Sequence, residues 1–223
     1  MLGENSDEEV HIKFNDAVLY GLIKSKISDK ISNDDVQNME ITITKGNIAT
    51  ITSLDLTGAD NNKISDITGI ENFTNLTELR LGTNNIKDIS LLESLTKLKI
   101  LNVSSNELNN IDVVSKLTNL TELNISNTGT VSITSLKGLS KLQKLEANSN
   151  SISDIRDLSG LWNLTELRLA TNNISDITNL GNLHRLTILD LSNNVGITKI
   201  ETIKYLVNLK ELHLAKDNAI TDL

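Results

Sequence analysis

The chain contains the stretch Leu76-Thr-Glu-Leu79-Arg-Leu81-Gly-Thr-Asn84-Asn-Ile86-Lys-Asp-Ile89, and its spacing returns along most of the 223 residues. The pattern Leu-x-x-Leu-x-Leu-x-x-Asn, or a close variant, advances by 22 residues at each step and by 23 at the last. Its first leucines are Leu76, Leu98, Leu120, Leu142, Leu164, Leu186 and Leu209. Self-similarity at one period indicates stacked units, none of which can bury its apolar side alone. We therefore predict a repeat protein.

Each unit also predicts its own backbone path. Side chains alternate across a strand, so Leu79 and Leu81 should point inward while Glu78 and Arg80 point outward. From Ile86 onward an apolar residue occurs every three positions, which is typical of a 3₁₀-like path. We call this segment, which leads from the end of one strand to the start of the next, the return arm. The pattern resembles the leucine-rich repeat in its short, 22-residue form. We predict an α/β leucine-rich-repeat solenoid with a parallel concave β-sheet, a 3₁₀ or irregular convex side and a helical N-terminal cap.

An asparagine recurs where each unit turns away from its strand. Buried backbone groups at such a corner need partners, and an amide side chain offers two donors and an acceptor. Thr128 replaces the asparagine in one unit, so the hydrogen bonds that this position makes should be weakest there. We predict a structural hydrogen-bond ladder formed by Asn84, Asn106, Asn150, Asn172 and Asn194.

The first fifty residues lack the repeat and predict a cap over the end of the solenoid. Residues 14–23 have helical apolar spacing, and Ser32-Asn-Asp-Asp35 resembles a capping box that would begin a second short helix. A leading strand is predicted from the alternation of Ile41, Ile43, Ile48 and Ile51. We predict a cap over 1–50 with two short helices and this strand. Residues 51–223 should form seven full repeats and a partial eighth.

Cap and repeats together resemble the internalin family of bacterial surface proteins. The resemblance rests on Phe14-Asn-Asp-Ala in the cap and on the repeat motif Asn-x-Ile-x-Asp-Ile, found as Asn85-Ile86-Lys-Asp88-Ile89. It implies a non-enzymatic protein, secreted or displayed on the cell surface, that recognises a protein partner by its concave face in adhesion or host interaction. The chain lacks the proline that often follows this motif in the family. A cytosolic scaffold or regulatory subunit is the alternative, because short repeats of this kind also occur there.

The outward strand positions form the predicted partner-binding site. Cross-strand ion pairs are expected between Asp55 and Arg80 and among Glu146, Arg168 and Asp190, and these charges could simply solvate the face. The recurring glutamates predict a partner with a basic patch. The predicted contact residues are Glu78, Arg80, Ile100, Asn102, Glu122, Asn124, Lys144, Glu146, Glu166, Arg168, Ile188, Asp190, Glu211 and His213.

Composition excludes several other classes of function. The chain has no cysteine, and its 21 basic against 29 acidic residues give a net charge of −8, which is unfavourable for binding nucleic acid. Apolar runs are too short for membrane insertion. The histidines His11, His184 and His213 are too far apart along a solenoid to converge on a metal ion. We therefore predict no catalytic residues, no metal site and no cofactor.

The last residues predict an uncovered end. Leu212, Leu214, Ile220 and Leu223 would lie at the edge of the sheet and the end of the core. We therefore expect the chain to be a fragment, or its end to be covered by a partner.

Overall fold

A computed structural model describes residues 5–214 and residue 220. It contains a small antiparallel sheet at the N-terminus and a long parallel sheet that runs through the repeats. The small sheet consists of β1 (Glu9–Lys13), β2 (Ile31–Asp35) and β3 (Glu40–Thr44), in the order β1-β3-β2. Two α-helices accompany it: α1 (Ala17–Lys26) after β1, and α2 (Lys45–Ala49) after β3.

The predicted first helix is confirmed as α1, but a helix from Ser32 is wrong. Residues 31–35 are strand β2 and residues 36–39 form a turn, in which Met39 has a φ of +51°. The Asp35 carboxylate accepts hydrogen bonds from the Asn38 backbone N–H at 3.1 Å and the Asn38 amide at 2.8 Å. A side chain that bonds three residues ahead is common to helix starts and to turns, which explains the misreading.

The leading strand is shorter than predicted. Ile41 and Ile43 lie in β3, but Ile48 lies in helix α2, and the Thr44 hydroxyl caps that helix through the Asn47 backbone N–H. All these isoleucines are buried, because both a strand and a helix can turn apolar residues toward one core. A cap boundary at residue 50 stays a prediction.

Asp16 joins the cap to the repeats. One carboxylate oxygen caps helix α1 by accepting from the backbone N–H groups of Val18 and Leu19, at 2.8 and 3.0 Å. The other oxygen accepts from the backbone N–H and the hydroxyl of Ser65 in the first repeat, at 2.8 and 2.9 Å. Beside it, Gly69 has a φ of +105°, and a Cβ there would come within 2.6 Å of the Phe14 ring.

The long sheet has one strand from each repeat, in strict chain order. Its leucines stay aligned, as in the pairing of Leu79 with Leu101 and of Leu101 with Leu123. The solenoid prediction is confirmed by this parallel register. The strands are β4 (Ser53–Asp55), β5 (Glu78–Arg80), β6 (Ile100–Asn102), β7 (Glu122–Asn124), β8 (Lys144–Glu146), β9 (Glu166–Arg168), β10 (Ile188–Asp190) and β11 (Glu211–His213).

The return arms contain short 3₁₀ helices, as the three-residue apolar spacing predicts. One apolar cluster extends from Ile12 in the cap to Leu206 in the described part of the last repeat. No helix among residues 5–214 is long and apolar enough to cross a membrane. The 3₁₀ helices are Ser28–Lys30 in the cap, then Ile70–Asn72, Ser90–Ser94, Asp112–Lys116, Thr134–Leu136, Arg156–Gly160, Thr178–Asn182 and Glu201–Tyr205.

The asparagine column forms the predicted ladder. The Asn172 amide donates to the carbonyl oxygens of Leu169, at 3.0 Å, and of Ala147 in the preceding unit, at 2.9 Å. Its Oδ1 accepts from the Ile152 backbone N–H at 3.0 Å. Asn84, Asn106 and Asn194 are buried and repeat this set of bonds. Each asparagine therefore joins two units through their backbones.

The ladder changes at Thr128. Its hydroxyl donates to the Ile125 carbonyl oxygen at 2.8 Å and lies 2.8 Å from the Thr130 hydroxyl. No hydrogen bond from this side chain reaches back to the preceding unit. The Leu108 backbone N–H of that unit donates to the Thr128 backbone carbonyl instead, at 3.2 Å. The prediction that the ladder is weakest here agrees with this smaller set of bonds.

A left-handed residue precedes each ladder position. These residues have φ between +53° and +59°, although none is glycine. A side chain in this region costs roughly 1–2 kcal/mol, least for asparagine, so each of these six turns stores strain. The residues are Thr83, Ser105, Asn127, Ser149, Thr171 and Asn193.

The extra residue of the unit at Leu186 is a bulge in the turn. Val195 and Gly196 lie in this turn, Val195 is exposed, and Ile197 returns to the core. Strand β11 still pairs with β10 in parallel register. The sequence predicts a second bulge of this kind at 218–219, which lies outside the described residues, as does Leu223 of the expected uncovered end.

Candidate partner-binding face

The outward residues of β5–β11 form two parallel rows. Because the strands pair in register, Glu78 lies beside Ile100 and Arg80 lies beside Asn102, and this continues to Glu211 and His213. All fourteen residues named from the sequence therefore share one face of the sheet, here called the concave face. The first row is Glu78, Ile100, Glu122, Lys144, Glu166, Ile188 and Glu211. The second row is Arg80, Asn102, Asn124, Glu146, Arg168, Asp190 and His213.

Ion pairs on this face form mainly within a strand. Arg80 Nε lies 2.7 Å from Glu78 Oε1, and Arg168 Nε lies 2.5 Å from Glu166 Oε1. The predicted bridges from Arg80 to Asp55 and from Arg168 to Asp190 and Glu146 are therefore wrong as direct contacts. Residues i and i+2 lie on the same side of a strand, so a long arginine side chain can reach along its own strand.

Lys144 supplies the cross-strand ion pair instead. Its Nζ lies 2.7 Å from Glu146 Oε1 in its own strand and 3.6 Å from Glu166 Oε1 in β9. The hydrogen bond to Glu146 raises the pKa of the Lys144 ammonium, and the hydrogen bond to Glu166 likewise raises the pKa of the Arg168 guanidinium. Lys144, Glu146, Glu166 and Arg168 thus form a compact, internally neutralised group.

Glu122 and Asp190 lie on either side of this group and differ from it. Neither forms an ion pair within the described part of the chain. Glu122 is exposed, and among the described residues the Asp190 carboxylate accepts a hydrogen bond only from the Ser192 backbone N–H, at 3.0 Å. Their neighbours in the first row include Ile100 and Ile188, which are half-buried. The face therefore presents uncompensated negative charge next to apolar side chains.

Several second-row residues, and Asp55 at the matching position of β4, also hydrogen-bond to the backbone of the following turn. Asn102 Oδ1 accepts from the Ser104 backbone N–H and Asn124 Oδ1 from the Ser126 backbone N–H, both at 2.9 Å. Asp55 makes the same bond to Thr57, and the Thr57 hydroxyl lowers the pKa of the Asp55 carboxyl. The signal was present in the sequence as Asx-x-Ser/Thr at four of the eight repeat strands, as in Asn102-Val-Ser104. Substituting these residues would therefore disturb the turns as well as any binding.

The face offers no enclosed site for chemistry. The hollow between β5 and β8 has a volume of only about 80 Å³ and is lined by Arg80, Ile100, Glu122 and their neighbours. Residues 5–214 contain no group of three His, Asp or Glu side chains that could hold a metal ion. The aspartates that recur in the turns accept backbone hydrogen bonds, as Asp176 does from the Thr178 N–H at 2.9 Å.

Comparison with known proteins agrees with this geometry. The family model for leucine-rich repeats (two copies) matches residues 74–114, 140–182 and 184–223. The solved structure of internalin C2 from Listeria monocytogenes is 33% identical, with a TM-score of 0.82 over 94% of this chain and 88% of that one. The structure of an internalin (inlF) from the same organism is 22% identical, with a TM-score of 0.49 over 94% and 91% of the two chains. A search of curated proteins finds no match.

Proposed function

This chain belongs to the internalin-type family of leucine-rich-repeat proteins, and from that premise we propose that it is a bacterial recognition protein, secreted or displayed on the cell surface. The family is one of protein-interaction modules, and its fold is a scaffold for binding. We propose that the protein binds a protein partner in adhesion or host interaction and catalyses no reaction. The two open rows of outward side chains are the observation that supports this function.

The partner is proposed to carry a basic patch. The concave face holds six carboxylates, from Glu78 to Glu211, against the three cations Arg80, Lys144 and Arg168. All three cations are already paired, whereas Glu122 and Asp190 have no ion pair among the described residues. Complementary charge steers association and selects partners, so binding should weaken as salt increases.

A test of the binding face places a photo-crosslinking amino acid at Glu122. The matched control carries it at Glu93, which is equally acidic and exposed but lies in a 3₁₀ helix of the return arm. We expect one protein to crosslink from position 122 and not from position 93. The crosslinked product should disappear when the salt concentration is raised. The same protein captured from both positions, or none from position 122, would contradict binding by the concave face.

Location needs a separate experiment, in which intact cells of the source organism are treated with protease. Peptides of this chain in the supernatant of unbroken cells, or the whole protein in the culture medium, are the expected result. Peptides that appear only after lysis would instead favour a cytosolic scaffold or regulatory subunit. A cytosolic marker protein serves as the control for cell breakage.

A further inference from the structure

A second ordered surface lies at the edge of the solenoid, at the turn before each strand. The residue before the first leucine of each unit alternates between an amide and a cation. The amides are Asn75, Asn119, Asn163 and Asn208, and the cations between them are Lys97, Lys141 and Arg185. This alternation has a period of 44 residues, twice that of the repeat. It is not apparent from the 22-residue pattern, because that pattern does not specify the residue before its first leucine. We call this row the amide–cation edge.

Three asparagines of the edge, Asn75, Asn119 and Asn163, each link two neighbours, and Asn208 bonds back to the His184 carbonyl oxygen at 2.7 Å. The Asn163 amide donates to the Ser140 carbonyl oxygen of the preceding unit at 2.7 Å. Its Oδ1 accepts from Arg185 Nη1 of the following unit at 2.8 Å. Asn119 does the same between Thr96, at 2.8 Å, and Lys141, at 2.6 Å. The cations of the edge are therefore held in place by neutral groups.

A neutral partner leaves the positive charge uncompensated. Lys97, Lys141 and Arg185 are exposed, and none has a carboxylate partner within residues 5–214. This contrasts with the concave face, whose three cations are all paired with glutamates. In a chain of net charge −8, the edge is thus a local row of positive charge. Successive cations are two strand spacings apart, roughly 10 Å.

The single tryptophan lies in the same row of turns. Trp162 precedes Asn163 in the chain, so it lies between the units that carry Lys141 and Arg185, and it is 68% exposed. Its counterparts in the two adjacent units are Ser140 and His184, both exposed and polar. An indole ring left in water among polar groups offers a flat apolar face with hydrogen-bonding groups around it.

From these features we propose that the amide–cation edge binds an anionic polysaccharide. The cations would pair with sulfate, phosphate or carboxylate groups along the polymer, and a sugar ring would stack its C–H face on Trp162 while its hydroxyls stay in water. An acidic protein fits this edge less well. The core of a protein–protein interface usually contains several large apolar side chains shielded from water, whereas this edge has one aromatic ring among polar groups. This inference concerns another surface and does not depend on the proposed function.

Fluorescence of Trp162 provides a direct test, since no other tryptophan contributes. The intact chain is titrated with dextran sulfate, with neutral dextran as the uncharged match and poly-L-glutamate as the acidic-peptide match. We expect dextran sulfate alone to shift the emission to the blue, with an affinity that falls about as the second or third power of salt concentration. Equal binding of poly-L-glutamate, a shift with neutral dextran, or no binding would overturn the proposal.

Variants locate the binding. The triple variant Lys97→Gln, Lys141→Gln and Arg185→Gln keeps an N–H donor for each asparagine, and circular dichroism confirms its fold. With labelled dextran sulfate, this variant and Trp162→Ala should each bind about tenfold more weakly. A control with Lys13→Gln, Lys63→Gln and Lys87→Gln removes the same charge elsewhere and should change affinity less than about twofold. If both triple variants lost the same affinity for dextran sulfate, binding would depend only on the net charge of the protein, and the assignment to this edge would be overturned.

Discussion

Single side chains join neighbouring units, and the ladder asparagines are the clearest case. Asn172 accepts one backbone hydrogen bond and donates to three backbone carbonyls, the longest being Ala170 at 3.4 Å, and it is only 6% exposed. Thr128 bonds to one backbone carbonyl and otherwise to side chains. The loss of an asparagine should therefore leave more buried backbone groups unpaired than the loss of this threonine.

Asn172→Ala should lower the free energy of unfolding by roughly 2–4 kcal/mol, because the Ile152 N–H and two carbonyls would lose a partner in a buried corner. Thr128→Ala should cost about 1 kcal/mol. Urea denaturation followed by circular dichroism measures both values. A cost for Thr128→Ala as large as that for Asn172→Ala would show that the ladder is not weakened at that unit.

The left-handed turn residues give a prediction of the opposite sign. Thr83 is β-branched, makes no side-chain hydrogen bond among the described residues, and has a φ of +58°. Asparagine tolerates this conformation better and already occupies it at positions 127 and 193. Thr83→Asn should therefore raise stability by about 0.5–1 kcal/mol, and the reverse change Asn127→Thr should lower it by a similar amount. Thermal unfolding of both variants checks this; a shift of the same sign in both would contradict the strain argument.

Among the elements, helix α1 and the first repeat depend on one carboxylate. Burial alone would raise the pKa of Asp16, but hydrogen bonds from the backbone N–H groups of Ser65 and Leu19 and from the Ser65 hydroxyl bring it below the ordinary 3.8. A lowered folded-state pKa means that the charged form is favoured by folding. This part of the stability is complete above pH 3.8 and is lost as the pH falls through the folded-state pKa.

Asp16→Asn should therefore destabilise the protein at neutral pH and make its stability less dependent on pH in the acid range below 3.8. Denaturation at a series of pH values compares the two proteins. Asp29→Asn is a matched control, because Asp29 also has a lowered pKa, from a hydrogen bond to Lys30, but is exposed. If both variants lose the same stability at neutral pH, Asp16 does not act as the link between cap and repeats.

The success of sequence reasoning also differs between elements. The strands, the return arms and the asparagine ladder could be predicted from the 22-residue period, because each position of the pattern occurs again in every repeat. The cap has one copy of each signal, so Ser32-Asn-Asp-Asp35 predicted a helix where a strand and a turn occur. The ion pairs of Arg80 and Arg168 could not be foreseen, because side-chain reach within a strand competes with reach between strands. The amide–cation edge was missed because its 44-residue period occupies variable positions.

In the whole molecule, one apolar cluster connects all units, so unfolding should be cooperative despite the linear architecture. The buried aromatic rings Phe14, Tyr20 and Phe73 all lie in the cap and the first repeat. Near-ultraviolet circular dichroism therefore reports mainly on the N-terminal end, while the far-ultraviolet signal reports on every unit.

The two signals should have the same midpoint in the wild-type protein. Leu123→Ala creates a cavity in the unit that contains Thr128, at a cost of about 2–5 kcal/mol, and should separate the midpoints by uncoupling the two ends. Leu79→Ala, an equally buried leucine near the cap, should lower both midpoints together. Separate midpoints in the wild-type protein would mean that the cluster does not unfold as one unit.

The even step of the amide–cation edge has a consequence for how a polymer would occupy it. A chain of regularly spaced anions that slides by one step along Lys97, Lys141 and Arg185 regains nearly the same contacts, so several alignments have similar energies. Such a surface responds to the length of the polymer and its spacing of charge, and hardly to the order of its sugars. Affinity should rise with oligosaccharide length until the polymer spans all three cations, and level off beyond it.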